Sequence, residues 1–373
     1  MVRVKMRILK KIMISIISIL VFLAVVVLAV ILFLNFWPSV GKLPDKSMQE
    51  DYARRTEYFS DGSFSNQDSD PVVTAESEEK SDRMKPKDKI PVVKSESVPD
   101  GEKGKLYVTW LGHSSILVQM NGKNILIDPV FSKYSSPVSF AGVKRFSEVA
   151  IEPEDLPHLD AVLISHDHYD HLDYETIKKI NDKTDRYIVP LGVESYLIGW
   201  GVDSEKITNM AWYEETMLDD IKVVATPSKH YTGRNPLKRN ASWWCGFYLN
   251  DDSHTLYYSG DGGYCDNFKE IKEKLGDIDL ALMECGQYGK GWPWIHMFPE
   301  QTVQAVEDLD AKWFIPVHWG AYCICYNAWD DSVIRSIAES EKKGINEATP
   351  KIGERVDFDD IASYNEHWWE GIN

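Results

Sequence analysis

The sequence predicts an α/β fold: an αββα sandwich of two β-sheets with helices on both outer faces, preceded by one transmembrane helix and a tether. Three observations support this prediction. Strand-like segments fall into two groups with helical segments between and after them, an uncharged apolar run lies near the N-terminus, and a polar stretch separates the two regions. With 373 residues, 43% of them hydrophobic, the chain can bury a large core, which excludes a wholly disordered protein.

The apolar run covers residues 12–37 and contains no charged residue. As a helix it would measure about 39 Å, enough to cross a hydrocarbon core of about 30 Å. A cleaved signal peptide is the alternative, but its apolar region normally has only about 7–15 residues, and Leu34-Asn35-Phe36-Trp37-Pro38 is a poor cleavage site. Five basic residues in the segment 1–11 predict a single-pass cell-membrane protein with a cytoplasmic N-terminus and an extracytoplasmic remainder.

Residues 38–104 lack sustained periodicity and are rich in Ser, Asp, Glu, Lys and Pro beyond residue 60, which predicts a partly disordered extracytoplasmic tether. The folded domain is predicted at residues 105–373. The net charge is −17 for the chain and −22 beyond residue 41, so no nucleic-acid partner is expected. The 5 Cys are an odd number and too few for a disulfide scaffold.

Strand and helix patterns within the domain support the two-sheet prediction. Asn121-Gly122 is a hairpin signal between two strand-like runs. The predicted strands are Tyr107–Trp110, Ser115–Met120, Asn124–Asp128, Ala161–Ser165, Tyr187–Pro190, Val223–Thr226, Trp243–Leu249, Thr255–Ser259, Ile278–Met283 and Trp313–Val317. The predicted helices are Tyr174–Asn181, Asn267–Leu275, Pro299–Leu309 and Asp331–Lys342.

A cluster of three imidazoles and two carboxylates follows the buried strand Ala161–Ser165 directly, within residues 166–171. His166 and His168 are two positions apart, so an extended loop can direct both at one ion. Asp170 and His171 then face a neighbouring point. Imidazole nitrogens combined with carboxylate oxygens suit zinc, so the spacing predicts a metal site.

Three later residues repeat the pattern of a strand followed by a ligand type: His230, Asp261 and His318. Asp261 stands among glycines, in Ser259-Gly260-Asp261-Gly262-Gly263, where the backbone can approach an ion closely. A lone His or Asp at a strand end is usually structural. Three of them after the His cluster, in this order, favour metal ligation.

These motifs resemble the metallo-β-lactamase-fold hydrolases, and within them the branch that contains N-acylphosphatidylethanolamine phospholipase D and the L-ascorbate-6-phosphate lactonases. The resemblance covers roughly residues 106–330. It rests on Trp110-Leu-Gly-His-Ser-Ser, Ile127-Asp-Pro, His166-Asp-His-Tyr-Asp-His, His230 with Gly233-Arg234 and Arg239-Asn240, Gly260-Asp261, His296-Met297-x-Pro299-Glu300 and Pro316-Val-His318-Trp-Gly. The apolar N-terminus and Asp61-Gly-Ser-Phe-x-Asn resemble anchored bacterial members; Gly262 and Cys285 depart from the usual Thr and aliphatic residue.

The resemblance implies two zinc ions per chain. His166, His168 and His230 would hold one ion, Asp170, His171 and His318 the second, and Asp261 would bridge them. Two adjacent cations acidify a shared water, so the implied nucleophile is a metal-bound hydroxide.

Besides ligating, Asp170 would orient that nucleophile or accept its proton. The resemblance also places His296 near the substrate as a second catalytic residue. His113 is equally consistent with pocket lining and packing. Asp128 is equally consistent with accepting a ligand imidazole N–H and with capping the turn before Pro129.

The predicted function is a membrane-anchored, binuclear zinc hydrolase, of phosphodiesterase and phospholipase D type, that acts on a lipid-like substrate. The predicted partners are the lipid membrane, through the N-terminal helix, and a small-molecule or lipid substrate. Lactone or other ester hydrolysis is the enzymatic alternative, since one fold hosts many reactions. A non-enzymatic, metal-stabilised binding domain is the alternative from another class.

Overall fold

A computed structural model describes residues 2–68 and 78–373 of the chain. Its first element is helix α1 (Val2–Phe36). Within Arg3–Phe36, an 18-residue window has a mean hydropathy of 3.5, and none of that window is buried against the rest of the protein. By length and composition α1 is sufficient to cross a membrane, and it contains the predicted apolar run except for Trp37.

The segment after α1 differs from the predicted tether. Helix α2 (Lys46–Arg55) and the hairpin of β1 (Phe59–Ser60) and β2 (Ser63–Phe64) pack against the domain. The Phe64 ring stacks on Trp243 with centroids 5.2 Å apart. Burial of a few aromatic side chains stabilises this segment without any helical or strand periodicity in its sequence. Residues 69–77 of the predicted tether lie outside the described residues.

The strands of the domain follow in chain order. They are β3 (Leu106–Trp110), β4 (Ile116–Met120), β5 (Lys123–Ile127), β6 (Tyr134–Ser135), β7 (Val143–Lys144), β8 (Ala161–Leu163), β9 (Tyr187–Pro190), β10 (Ile207–Met210), β11 (Glu215–Leu218), β12 (Ile221–Thr226), β13 (Gly246–Asn250), β14 (Thr255–Tyr258), β15 (Ile278–Glu284), β16 (Ala311–Val317) and β17 (Arg355–Asp357). The helices are α3 (Tyr174–Ile180), α4 (Glu194–Gly199), α5 (Asn267–Leu275), α6 (Pro299–Asp308) and α7 (Asp331–Lys343).

Two sheets form the sandwich. The first has the strand order β10-β9-β8-β5-β4-β3-β17, and the second has the order β11-β12-β13-β14-β15-β16. Strands β6 and β7 form a separate two-stranded ribbon. The predicted hairpin is present between β4 and β5, with both Asn121 and Gly122 at positive φ, as a tight two-residue turn requires.

Alternating side chains of the second sheet face two different cores. Val223 and Tyr258 belong to the core between the sheets, whereas their neighbours Val224 and Tyr257 pack in the outer core beneath α5 and α6. Helices α3 and α4 contribute Ile177 and other side chains to the larger core, on the side of the first sheet. This layering confirms the predicted αββα sandwich.

The order of strands brings several strand ends to one edge of the sandwich. Strand β8 is parallel to β5 in the first sheet, and β14, β15 and β16 are mutually parallel in the second. An isolated β-bridge between His113 and Trp319 joins segments of the two sheets at this edge. Every residue predicted as a metal ligand follows the end of one of these strands or of β12.

Candidate metal centre

The structure brings together all seven residues predicted as metal ligands. His166, His168 and His230 form one group whose potential ligand atoms lie within 4.8 Å of one another. His166 Nε2 is 2.9 Å from His168 Nδ1, and His230 Nε2 is 3.3 Å from the same atom. Three imidazole nitrogens this close together are the ligand set of one zinc ion in many catalytic sites, where the fourth position stays open.

A second group contains Asp170, His171 and His318, together with His113. His113 Nε2 donates to Asp170 Oδ2 at 2.9 Å, so His113 is a pocket residue that holds a predicted ligand. Of the two interpretations of His113, the geometry favours the pocket. Ser114 Oγ lies 2.9 Å from His318 Nδ1 and fixes that ring in turn.

Asp261 lies between the two groups. Its Oδ2 atom is 3.1 Å from His171 Nε2 and 3.9 Å from both His166 Nε2 and His230 Nε2, while Oδ1 is 3.3 Å from His318 Nδ1. One carboxylate therefore faces both groups, as a bridging ligand must. The preceding Gly260 has φ +60°, and a Cβ there would lie 2.4 Å from the Cys245 carbonyl oxygen, so only glycine fits.

Asp128 is a buried acceptor beneath the second group. Its carboxylate accepts hydrogen bonds from Ser165 N at 2.7 Å and Tyr258 OH at 2.6 Å, and its Oδ2 lies 2.8 Å from His171 Nδ1. The bond to His171 fixes the ring so that Nε2 faces the cluster, as partners of ligating imidazoles commonly do. The structure thus shows Asp128 in contact with the ring of a predicted ligand, in addition to any capping of the turn.

Three residues of the site have a strained backbone conformation. Positive φ, which residues other than glycine rarely adopt, is found at His113 (φ +55°), Asp128 (φ +41°) and His318 (φ +69°). Such conformations persist where surrounding contacts over-determine them, most often at functional sites.

His296 lies beside both groups and is paired with an acid that the sequence analysis missed. Its ring centroid is 5.2 Å from those of His230 and His318, and its Nδ1 lies 2.9 Å from Glu284 Oε1. Burial raises the pKa of Glu284 to about 7, against the opposing effect of His296. Glu284 ends strand β15, so the strand-then-ligand pattern that identified His230, Asp261 and His318 also applies to it.

The electrostatics of the cluster fit divalent cations. Burial, followed by the charges of neighbouring imidazoles, lowers the pKa of His166 well below its usual value and so favours the neutral form that binds metals. Burial alone would also lower the pKa of His171, but Asp261, Asp170 and Asp128 together raise it well above the usual value. A site where three carboxylates favour positive charge on one imidazole is suited to a cation.

Unpaired atoms point to the same conclusion. Among the described residues, His171 Nε2, His318 Nε2 and Asp261 Oδ1 are buried polar atoms without a hydrogen-bond partner. Unsatisfied buried polar atoms are costly, and these three all belong to predicted metal ligands. The nitrogen and oxygen donor set is the one that zinc prefers.

Comparison with known proteins decides the family. The sequence-family model described as "Beta-lactamase superfamily domain" matches residues 123–319 of the chain. The chain belongs to the metallo-β-lactamase superfamily of hydrolases. An uncharacterized protein of Mycobacterium bovis is 35% identical over 313 residues, which cover 80% of this hydrolase and 84% of that relative.

Relatives with named activities also match this hydrolase. The N-acyl-phosphatidylethanolamine-hydrolyzing phospholipase D 1 of Caenorhabditis elegans is 35% identical over 229 residues, 58% of this chain and 64% of that relative. Among solved structures, an isothiocyanate hydrolase from Delia radicum gut bacteria has a TM-score of 0.53 at 18% identity, covering 67% of this chain and 98% of that one. At this identity the structural likeness establishes the fold alone.

Proposed function

We propose that this chain is a membrane-anchored, binuclear zinc hydrolase that cleaves a phosphodiester bond of a lipid-like substrate, in the manner of a phospholipase D. The observation that carries the proposal is Asp261, whose carboxylate lies within 3.1–3.9 Å of imidazole nitrogens from both groups of potential ligands. The named activity of the Caenorhabditis elegans relative supports the choice of substrate class.

In this proposal His166, His168 and His230 hold one zinc ion, Asp170, His171 and His318 hold the other, and Asp261 bridges them. A bound pair of zinc ions supplies a water of lowered pKa and neutralises negative charge that develops during the reaction. The remaining steps depend on residues of this chain.

His296 is proposed to deliver a proton to the leaving group. Glu284 engages Nδ1, which leaves Nε2 as the nitrogen available for a substrate. Burial lowers the pKa of His296, but Glu284 and Asp261 raise it overall, so the imidazole tends to carry the proton that a general acid needs. Cleavage leaves a phosphate monoester and an alcohol, and the alcohol oxygen takes the proton from His296.

Asp170 is proposed to orient the attacking water as well as to bind metal. His113 and His171 lower its pKa despite burial, so its carboxylate stays ionised. The hydrogen bond from His113 fixes which oxygen remains free to accept from the water.

The proposed location is extracytoplasmic, because the basic residues before the apolar part of α1 favour the cytoplasmic side. A reporter that is active only outside the cytoplasm, fused after Lys105, is expected to give signal. Signal only from a reporter that requires the cytoplasm would contradict this orientation.

A substrate screen tests the proposed reaction. The zinc-loaded full chain in detergent micelles would be assayed on N-acyl phosphatidylethanolamine, a chromogenic phosphodiester and lactones, with Asp261→Asn as the matched inactive control. We expect turnover of the diesters that is lost on chelation and absent in the variant. Turnover of lactones alone would favour the ester-hydrolase alternative, and zinc binding without any turnover would favour a binding domain.

A further inference from the structure

Two loops of the domain are bonded to the residues that directly follow α1. Trp37 Nε1 donates to the Pro137 carbonyl oxygen at 2.7 Å, in the loop that connects β6 and β7 within residues 132–144. Arg234 Nε and Nη2 donate to the Ser39 carbonyl oxygen at 2.9 and 2.7 Å, from the loop formed by residues 232–240. We call these two segments the junction loops. Their contacts hold the domain against the end of α1.

The junction loops expose the two most accessible large apolar side chains of the described residues beyond Trp37. Phe140 is 75% exposed and Leu237 is 68% exposed. Isolated apolar side chains on a surface need no explanation. Here, however, these two most exposed apolar side chains both lie in loops that contact the residues directly after α1, the helix long and apolar enough to cross a membrane.

The charge of the junction loops is opposite to that of the chain. The chain has a net charge of −17, yet the two loops contain five basic residues and no acidic one. Arg234 is turned inward, while the other four are exposed: Lys133, Lys144, Lys238 and Arg239. Apolar side chains surrounded by Lys and Arg are typical of surfaces that contact lipid headgroups.

The position of Phe140 is suited to such a contact. It lies three residues after Pro137, which is a span of at most about 11 Å of extended chain. Pro137 itself contacts Trp37, the residue directly after α1. Each headgroup layer of a bilayer is roughly 5–8 Å thick, a length comparable with this span, so Phe140 is near enough to the end of α1 for contact with that layer.

The junction loops are also continuous with the metal centre. The loop of residues 232–240 begins directly after Tyr231, whose ring lies 4.7 Å from the His168 ring and 4.7 Å from the Arg239 guanidinium. A cavity of about 190 Å³ lies between Trp37 and Tyr169, and Tyr169 stands between two predicted ligands, His168 and Asp170.

We propose that the junction loops and Trp37 form a membrane-contact face. Phe140 and Leu237 insert into the interfacial layer of the bilayer that holds α1, and the four exposed basic side chains contact lipid phosphates. The metal centre is thereby held beside the bilayer surface in a fixed orientation. This inference rests on the proposed anchoring by α1 and does not depend on the proposed reaction.

Site-specific photo-cross-linking tests the face. A photoreactive phenylalanine analogue would replace Phe140, Leu237 or Met217 in the full chain, reconstituted in vesicles of phosphatidylcholine and phosphatidylglycerol. Met217 is the matched control, because its side chain is also well exposed, at 52%. It lies far from the metal centre: its carbonyl oxygen accepts a hydrogen bond from Arg186, which directly precedes β9 at the end of that strand opposite to the metal centre. Activity is not needed for this readout.

We expect lipid adducts at positions 140 and 237 in several-fold higher yield than at position 217. Equal yields at the three positions would overturn the proposal, and so would adducts at 140 or 237 with a second copy of the chain instead of lipid. Flotation of the reconstituted chain with the vesicles is measured in parallel. A chain that does not float refutes the anchoring on which the proposal rests, whereas a chain that floats without preferential adducts refutes the face itself.

Discussion

Asn66 provides a sharp test of whether the segment after α1 is part of the catalytic domain. Its side chain pairs with both backbone groups of His230: Nδ2 donates to the His230 carbonyl oxygen at 3.0 Å, and His230 N donates to Oδ1 at 3.1 Å. Trp244 Nε1 also donates to Oδ1, at 3.0 Å. Asn66→Ala removes these three bonds next to a proposed zinc ligand.

The expected loss follows from those bonds. A protein hydrogen bond contributes about 1 kcal/mol net, and His230 is buried, so its freed backbone groups gain little compensation from water. We expect the free energy of unfolding to fall by roughly 2–3 kcal/mol. Supporting partners of metal ligands typically contribute about 10–100-fold to metal affinity, and we expect a loss of that order for zinc.

Denaturant unfolding and competitive zinc titration of the detergent-solubilised chain measure the two effects. Ser65→Ala is the matched control, because Ser65 is exposed and its hydroxyl makes only a 3.4 Å contact with the Tyr58 carbonyl oxygen. If Asn66→Ala unfolds and binds zinc as the control does, the segment is a passive tether and the structural argument is refuted.

Further predictions concern metal, proton transfer and pH. Elemental analysis should find about two zinc ions per chain. The His171→Ala variant should hold fewer, because one site loses a ligand, and the Asp261→Ala variant should retain both zinc ions only weakly. Unchanged stoichiometry in both variants would contradict the ligand assignment. His296→Ala should keep its metal but lose on the order of 10²-fold in turnover, and less on substrates with good leaving groups, since these need less protonation; loss of metal would instead make His296 a ligand. Burial raises the pKa of Glu347, which accepts from Ser336 and Ser340, to about 7. Between about pH 4.5 and 7 the native state keeps a proton that the unfolded state has released, so the free energy of unfolding should fall as pH rises through this range, by at most roughly 3 kcal/mol. Glu347→Gln should flatten this dependence, and an unchanged pH profile in that variant would show that another group causes it.

Those parts of the site and fold that depend on local pattern could be predicted from the sequence. The cluster of residues 166–171 is contiguous, and His230, Asp261 and His318 each follow an apolar strand. Parallel strands deliver such residues to one edge of a sheet, so their convergence follows from strand direction alone. The hairpin at Asn121 and the long uncharged run of α1 are equally local signals.

Features that depend on distant contacts could not be predicted in this way. Strand β17 has three residues and forms part of the first sheet only by pairing with β3, far away in sequence. Helix α2 is held by aromatic and polar contacts with the domain, such as that of Tyr52 with Glu194, and its sequence has no apolar stripe. Glu284 directly follows the predicted strand Ile278–Met283, but its place in the site depends on its contact with His296, which the strand pattern alone does not show.

The most direct test of the proposed reaction is the fate of the water oxygen. Vesicles of N-acyl phosphatidylethanolamine would be incubated with the zinc-loaded full chain in water enriched in ¹⁸O, with a chelated sample as the control. Attack at phosphorus predicts ¹⁸O in the phosphatidic acid and none in the released N-acylethanolamine, with no product after chelation. Label in the alcohol or in a released fatty acid, or product formation that is unaffected by chelation, would contradict a metal-dependent phosphodiesterase.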